Sequence, residues 1–184
     1  MTKLIILDRD GVINWEPGGH CARHPDEVRL LEGSAAAIGR LNNAGIKVAV
    51  ATNQGAIKKG FFDEAMLAAI HRRLLELIAV DGGHIDALFY CPHYNEDQCR
   101  CRKPEPGMLH DVAEHFACSL DQVPFVGDDY RDVLAARAVD ATPIIVRTGK
   151  GEETEQRLKK KSDQDVPVFA NLAAVVDQLI GDLI

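Results

Sequence analysis

Short apolar runs and helical stripes alternate along most of this chain. Leu4-Ile5-Ile6-Leu7 is a continuous apolar run of strand length, the pattern of a parallel strand buried on both faces. Further strands are predicted over residues 46–51, 85–90, 123–126 and 142–147, with a shorter one over 166–169. Helical spacing fills the intervals. Ala37, Ile38, Leu41 and Ala44 form one stripe, and Gly45 follows as a stop signal. Met66, Leu67, Ile70, Leu74, Leu77 and Ile78 form a longer stripe behind Asp63, a predicted cap, with His71, Arg72 and Arg73 on or beside its solvated face. Pro106 and Gly107 open a helix facing inward through Leu109, Val112, Ala113 and Phe116. Another runs through Ala135, Ala136 and Val139, and an amphipathic helix over 172–183 closes the chain. Residues 149–161 are charged and read as a solvated segment, with Lys159, Lys160 and Lys161 on an exposed face.

The chemistry sits where strands end. The first strand runs into Asp8-Arg9-Asp10-Gly11, so two carboxylates face one crevice while Arg9 points elsewhere. A magnesium ion would offset their repulsion, because it prefers one or two carboxylates with water and phosphate oxygens. The pair suits phosphoryl transfer: Asp8 attacks phosphorus, and Asp10 protonates the leaving oxygen and later deprotonates water. Gly11 lets the chain turn just beyond. The second strand ends in Thr52-Asn53-Gln54-Gly55, where a hydroxyl and free donors make a phosphate cradle; an ordinary turn is the other reading of this tetrapeptide. The fourth ends in Gly127-Asp128-Asp129, and Asp128 can complete the magnesium shell. Asp132 either supports the site or caps the next helix. The loop over residues 15–24, with Pro17, Gly18 and Gly19, hangs off the catalytic strand end; Trp15, His20 and His24 are candidate ligand contacts there and equally packing residues.

Cys91, His93, Cys99 and Cys101 change the picture after the third strand. Three thiols and one imidazole in this spacing are the number and type of a closed tetrahedral zinc site, and a site without an open position is structural. Zinc would stiffen a polar loop over 91–103 and set Arg102 and Lys103 at a defined place. Lys103 suits a point charge on the transferring phosphoryl group, and Arg102 a forked donor to a second anionic or hydroxylated part of the substrate. Cys21 and Cys118 read as ordinary reduced cysteines.

Composition narrows the partners. At 184 residues the chain suits a single domain, 1–184, and its formal net charge of −7 leaves no basic surplus for nucleic acid or an anionic membrane. No apolar run approaches membrane-spanning length, and Met1-Thr2-Lys3 leads into a strand without a signal-peptide pattern, so a cytoplasmic monomer is expected.

Asp-x-Asp-Gly, then Thr-Asn-Gln, Lys-Pro and Gly-Asp-Asp, each at a strand end, resemble the haloacid dehalogenase superfamily of aspartate-nucleophile phosphatases. The Cys91, His93, Cys99, Cys101 cluster and the string Cys-Arg-Lys-Pro-x-Pro-Gly-Met at 101–108 resemble its branch of heptose-bisphosphate and histidinol-phosphate phosphatases. The resemblance implies an α/β fold: a doubly wound parallel sheet with helices on both faces, no cap domain and a small zinc-binding loop. It implies Asp8 as nucleophile, Asp10 as acid and base, Thr52 and Lys103 on the phosphoryl group, Asn53, Gln54 and Arg102 toward substrate, and magnesium on Asp8, the Asp10 carbonyl and Asp128. The expected reaction removes the 7-phosphate of a heptose bisphosphate for surface-polysaccharide precursors. Histidinol phosphate is the alternative substrate, and a phospho-aspartate sensing module the alternative of another class. Val12 departs from the threonine of much of the superfamily, and Asp129 from a lysine frequent in heptose phosphatases.

Overall fold

The computed structural model describes residues 4–16, 20–161, 163 and 165–181. Six strands, β1 (Leu4–Leu7), β2 (Lys47–Asn53), β3 (Ala87–Cys91), β4 (Pro124–Gly127), β5 (Thr142–Val146) and β6 (Val168–Phe169), pair in the order β3-β2-β1-β4-β5-β6. Every pairing is parallel. Helices α1 (Ser34–Asn43), α2 (Glu64–Val80), α3 (Gly107–Phe116), α4 (Tyr130–Arg137), α5 (Gly151–Lys161) and α6 (Leu172–Gly181) make the crossovers and the closing element.

Alternation along β1 sorts the core into two layers, because successive side chains leave opposite faces of a strand. Ile5 and Leu7 join Val48, Val50 and the faces of α1, α2 and α6. Leu4 and Ile6 join Ala49, Ala51, Phe125 and the faces of α3 and α4. Both faces are therefore covered, and each fully buried aliphatic side chain contributes about 1.5–3 kcal/mol. The strand order reverses between β2 and β4 on either side of β1, which opens a crevice at their carboxyl ends. Among the described residues, the segments after β1 and β3 carry only one short 3-10 turn each, so no further layer stands over this crevice.

Three expectations change. The segment over 149–161 is helical from Gly151: Thr154 and Leu158 pack beneath it while Lys159, Lys160 and Lys161 stay exposed. His71 leaves the solvated face, is buried, and meets Tyr90 edge-on with ring centroids 5.9 Å apart. Burial, then the nearby Arg9 charge, pushes its imidazole down to about 3, so it is a neutral core group. Arg9 does not point away from the crevice carboxylates; it is 1% exposed and lies on Asp10. The expected closing helix is seen from Leu172 to Gly181, and its predicted continuation to 183 lies outside the described residues.

Candidate active site

β1 delivers Asp8 to the crevice, β2 delivers Thr52, β4 delivers Asp128, and the first turn of α4 delivers Asp132. Lys103 enters from the loop after β3 and joins them. Its ammonium, 2% exposed, lies 3.0 Å from Asp8 Oδ1 and 2.7 Å from Asp132 Oδ1, and donates to the Ala51 carbonyl at 2.8 Å. Burial works against its charge, but Asp132 and Asp8 prevail and hold its pKa above the ordinary lysine value. Asp132 answers both readings offered for it: the other carboxylate oxygen accepts from the Asp129 amide at 3.1 Å and caps α4.

Asn53 and Gln54 are placed differently from expectation. The Asn53 amide is spent on the main chain of Lys103, accepting from its N–H and donating to its carbonyl, both at 3.0 Å. It fixes the lysine and still lines the cleft. Gln54 is buried behind the cleft and does not line it; its amide donates to Asp10 Oδ2 at 2.8 Å and to Thr52 Oγ1 at 2.9 Å. Because the Thr52 oxygen accepts that bond, its own hydrogen is left to donate into the cleft.

Asp8 and Asp10 experience opposite fields although two residues apart. Burial raises Asp8 to about 6 despite the pull of Lys103, with Asp132 and Asp10 adding to the rise. Burial also acts on Asp10, but Arg9, Asn14 and Gln54 outweigh it and hold that carboxyl below the usual range. Asp128 is pushed up to about 8 by burial and then by Asp8 and Asp132. Its Oδ2 accepts the Lys150 amide at 2.8 Å, and Gly11 and Gly149 pass so close that a β-carbon on either would strike its carboxylate. Gly11 also has φ +83°, so both space and backbone conformation demand glycine there.

Among the described residues, two groups of side chains could hold an ion. Asp8, Asp128 and Asp132 bring carboxylate oxygens within 4.8 Å of one another, an all-oxygen set that suits a hard divalent cation and would lose its excess negative charge to one. The carboxylate of Asp10 is turned to Arg9 and stands outside this set. The second group is Cys91, His93, Cys99 and Cys101. Sulfur-to-sulfur separations are 3.7, 3.5 and 3.2 Å, and His93 Nδ1 lies 3.7 Å from Cys91 and 3.3 Å from Cys101. Tetrahedral ligands ~2.1–2.3 Å from a zinc-like ion would lie ~3.5–3.8 Å apart, so the cage is close to that size.

Arg102 leans on this loop, donating to Asn95 Oδ1 at 2.8 Å and to the His93 carbonyl at 3.0 Å. It lines the mouth of a cleft of about 420 Å³ together with Arg23, Lys59, Arg131 and Lys150. With Lys103, six cations among the described residues line the cleft against six carboxylates, so a cation bound among the acids would leave it net positive toward an anionic ligand. Arg131 supplies a cation two positions from the missing lysine: Asp129 accepts from its side chain at 2.7 Å and orients it. Sequence reasoning passed over Arg23, Lys59, Arg131 and Lys150, and only the Asp129-x-Arg131 spacing at a helix start was a usable signal. Of the loop candidates, His20 lines the cleft, Trp15 is half exposed, and His24 accepts from the Asp26 amide to cap a short turn. Pro17, Gly18 and Gly19 lie outside the described residues. Val12 is buried in the apolar core.

Residues 100–175 match the family model described as HAD-hydrolase-like. The chain is 47% identical over 178 residues to a D-glycero-β-D-manno-heptose-1,7-bisphosphate 7-phosphatase of Pseudomonas aeruginosa, covering 97% of this chain and 98% of the relative. It is 44% identical over 180 residues to the enzyme of that name from Bordetella bronchiseptica, covering 98% and 99%. A crystal structure of D,D-heptose 1,7-bisphosphate phosphatase from B. bronchiseptica, complexed with magnesium and phosphate, aligns with TM-score 0.92 at 43% identity over 98% of this chain and 99% of that one. The corresponding structure from Burkholderia thailandensis aligns with TM-score 0.72 at 37% identity, over 97% and 99%.

Proposed function

Since this chain belongs to the heptose-bisphosphate phosphatase family of haloacid dehalogenase-like hydrolases, we propose that it removes the 7-phosphate of D-glycero-D-manno-heptose 1,7-bisphosphate through an aspartyl-phosphate. The reaction would serve heptose precursor synthesis for surface polysaccharide. The observation that carries the reading is the buried meeting of Asp8, Asp128, Asp132 and Lys103 beneath a cation-lined mouth, which is charged for one reacting phosphate and a second, distant one.

A carboxylate oxygen of Asp8 attacks phosphorus, and the bond to the sugar oxygen breaks. Lys103 and the Thr52 hydroxyl draw negative charge from the phosphoryl oxygens as it builds. Asp10 gives its proton to the departing sugar oxygen. The resting field holds Asp10 ionised, and the entering phosphate dianion raises its affinity for that proton. Asp10 then takes a proton from water as the water attacks phosphorus and frees Asp8. Asp8 and Asp128, with the main chain of Asp10 as the resemblance implies, would hold magnesium, which would supply the charge neutralisation that lets two anions approach. Arg102, with Arg131 and Lys150, meets the second phosphate. Cys91, His93, Cys99 and Cys101 would hold zinc, and the ion would stiffen the loop on which Arg102 leans.

Phosphate release from heptose 1,7-bisphosphate and from histidinol phosphate tests the proposal, and a higher kcat/KM for histidinol phosphate overturns the substrate. Glu16, its carboxylate largely buried at the cleft and 3.8 Å from Lys150, favours a cationic substrate tail.

Cation binding should depend on pH. Asp8 and Asp128 have folded values, about 6 and about 8, above the ordinary 3.8, so the folded protein binds extra protons. Their contribution to stability is complete below pH ~4 and is lost as pH rises through those values. Magnesium competes with the same protons. Thermal unfolding should therefore show a larger stabilisation by magnesium at pH 8.5 than at pH 5.5, and an equal gain at both would refute the assignment.

Stripping the thiolate cage, then assaying with magnesium restored, should lower kcat/KM for the bisphosphate about 10-fold or more. The loss should lie mainly in KM, because Asn53 still holds Lys103 while Arg102 loses its support. Zinc should reverse it. Unchanged kinetics in the stripped protein would contradict the role given to the loop.

A further inference from the structure

Arg9 follows β1 directly, is buried, and lies near enough to His71 of α2 for its charge to act on that imidazole. A guanidinium is thus buried where an apolar side chain would pack without losing hydration. Replacing a buried ion pair by hydrophobic groups is often neutral or stabilising, so packing alone does not account for an arginine here. Among the described residues its one ion pair is with Asp10. Nη2 donates to both carboxylate oxygens, at 2.9 and 2.8 Å, and Nε to Oδ1 at 3.2 Å. Nη2 also reaches Gln54 Oε1 at 3.1 Å, and Nη1 finds no partner among the described residues.

The other contacts converge on the same carboxylate. Gln54 ties Asp10 to Thr52. The Arg9 carbonyl accepts the amides of Ile13 and Asn14 at 2.9 and 3.1 Å, closing the turn that carries the Asn14 amide onto Asp10 Oδ1 at 2.9 Å. The Arg9 amide itself donates to Asp8 Oδ1 at 2.7 Å. One residue thus contacts both carboxylates, one through its main chain and the other through its side chain.

We propose that Arg9, with Gln54, is a positioning residue that fixes the Asp10 carboxylate in the single orientation from which it exchanges protons with the leaving oxygen and with water. This rests on the role given to Asp10 above. Neither Arg9 nor Gln54 touches substrate, since neither lines the cleft. Their effect passes through Asp10 and spares ground-state binding.

The test is a double-mutant cycle on heptose 1,7-bisphosphate. Asp10→Asn should lower kcat strongly. Arg9→Met should lower kcat ~100-fold with KM within about 3-fold, the signature of an interaction realised at the transition state. Arg9→Lys, which returns one cationic donor without the fork, should recover part of that loss. The Arg9→Met/Asp10→Asn double variant should be no slower than Asp10→Asn alone. Multiplying losses, or a loss carried by KM, would overturn the proposal. If Arg9→Met does not fold, Gln54→Met keeps the ion pair and enters the same cycle, read by the same rule. A fully active Asp10→Asn would instead overturn the role of Asp10 itself, so the two failures are distinct.

Discussion

Asp8→Asn should stop turnover, with phosphate release falling by about 10⁴-fold or more, while the protein remains folded. Asparagine keeps the size of the side chain and removes the oxygen anion that attacks phosphorus. Lys103 loses one partner but keeps Asp132 at 2.7 Å, so its buried charge stays paired. Removing one of three crowded carboxylates also relieves the repulsion that adds to burial in raising Asp128. Circular dichroism and thermal unfolding should therefore stay close to the parent. Substantial phosphate release from this variant would mean that another group attacks.

Lys103→Met should damage both chemistry and fold. The ammonium is the buried cation shared by Asp8 and Asp132. Removing one member of a buried ionic group costs about 3–5 kcal/mol, because the remaining charges stay in a poor solvent. The carboxylates will escape part of that cost by taking up protons, so the destabilisation should ease as pH falls. In the folded fraction kcat should drop about 10²–10³-fold, the usual loss when one preorganised charge donor is removed. Lys103→Arg should rescue little, since a planar fork does not replace a compact ammonium among the Ala51 carbonyl and two carboxylates. Near-normal kcat in Lys103→Met would remove Lys103 from the chemistry, and near-normal kcat in Lys103→Arg would refute the need for a compact ammonium.

The sheet was legible because each strand is a brief apolar run ending in polar residues, a pattern with few alternative packings. Asp8, Thr52 and Asp128 were legible for the same reason: they stand at carboxyl ends of adjacent parallel strands, where the topology opens a crevice. Side-chain direction was not. Arg9 reads as pointing away from the crevice, because alternation separates it from its two neighbours, and its partner became visible only when the turn after β1 closed. Gln54 sits in a plausible phosphate cradle, yet Asp10 and Thr52 occupy its amide before any substrate arrives. His71 falls beside two arginines on its helix, and only the approach of Tyr90 from β3 shows that its face is inside. The Lys150 contact to Asp128 uses a main-chain amide, for which no residue type is diagnostic.

The two-point pairing between Asn53 and the main chain of Lys103 splices the start of the Lys-Pro segment onto the end of β2. The ammonium therefore takes its address from the sheet, whereas Arg102, one position earlier, takes its address from the cysteine loop. Grafting a different loop before Lys103 would exchange the reader of the distal phosphate without relocating the charge that works on phosphorus. Substrate range in such a scaffold can drift while its reaction stays the same.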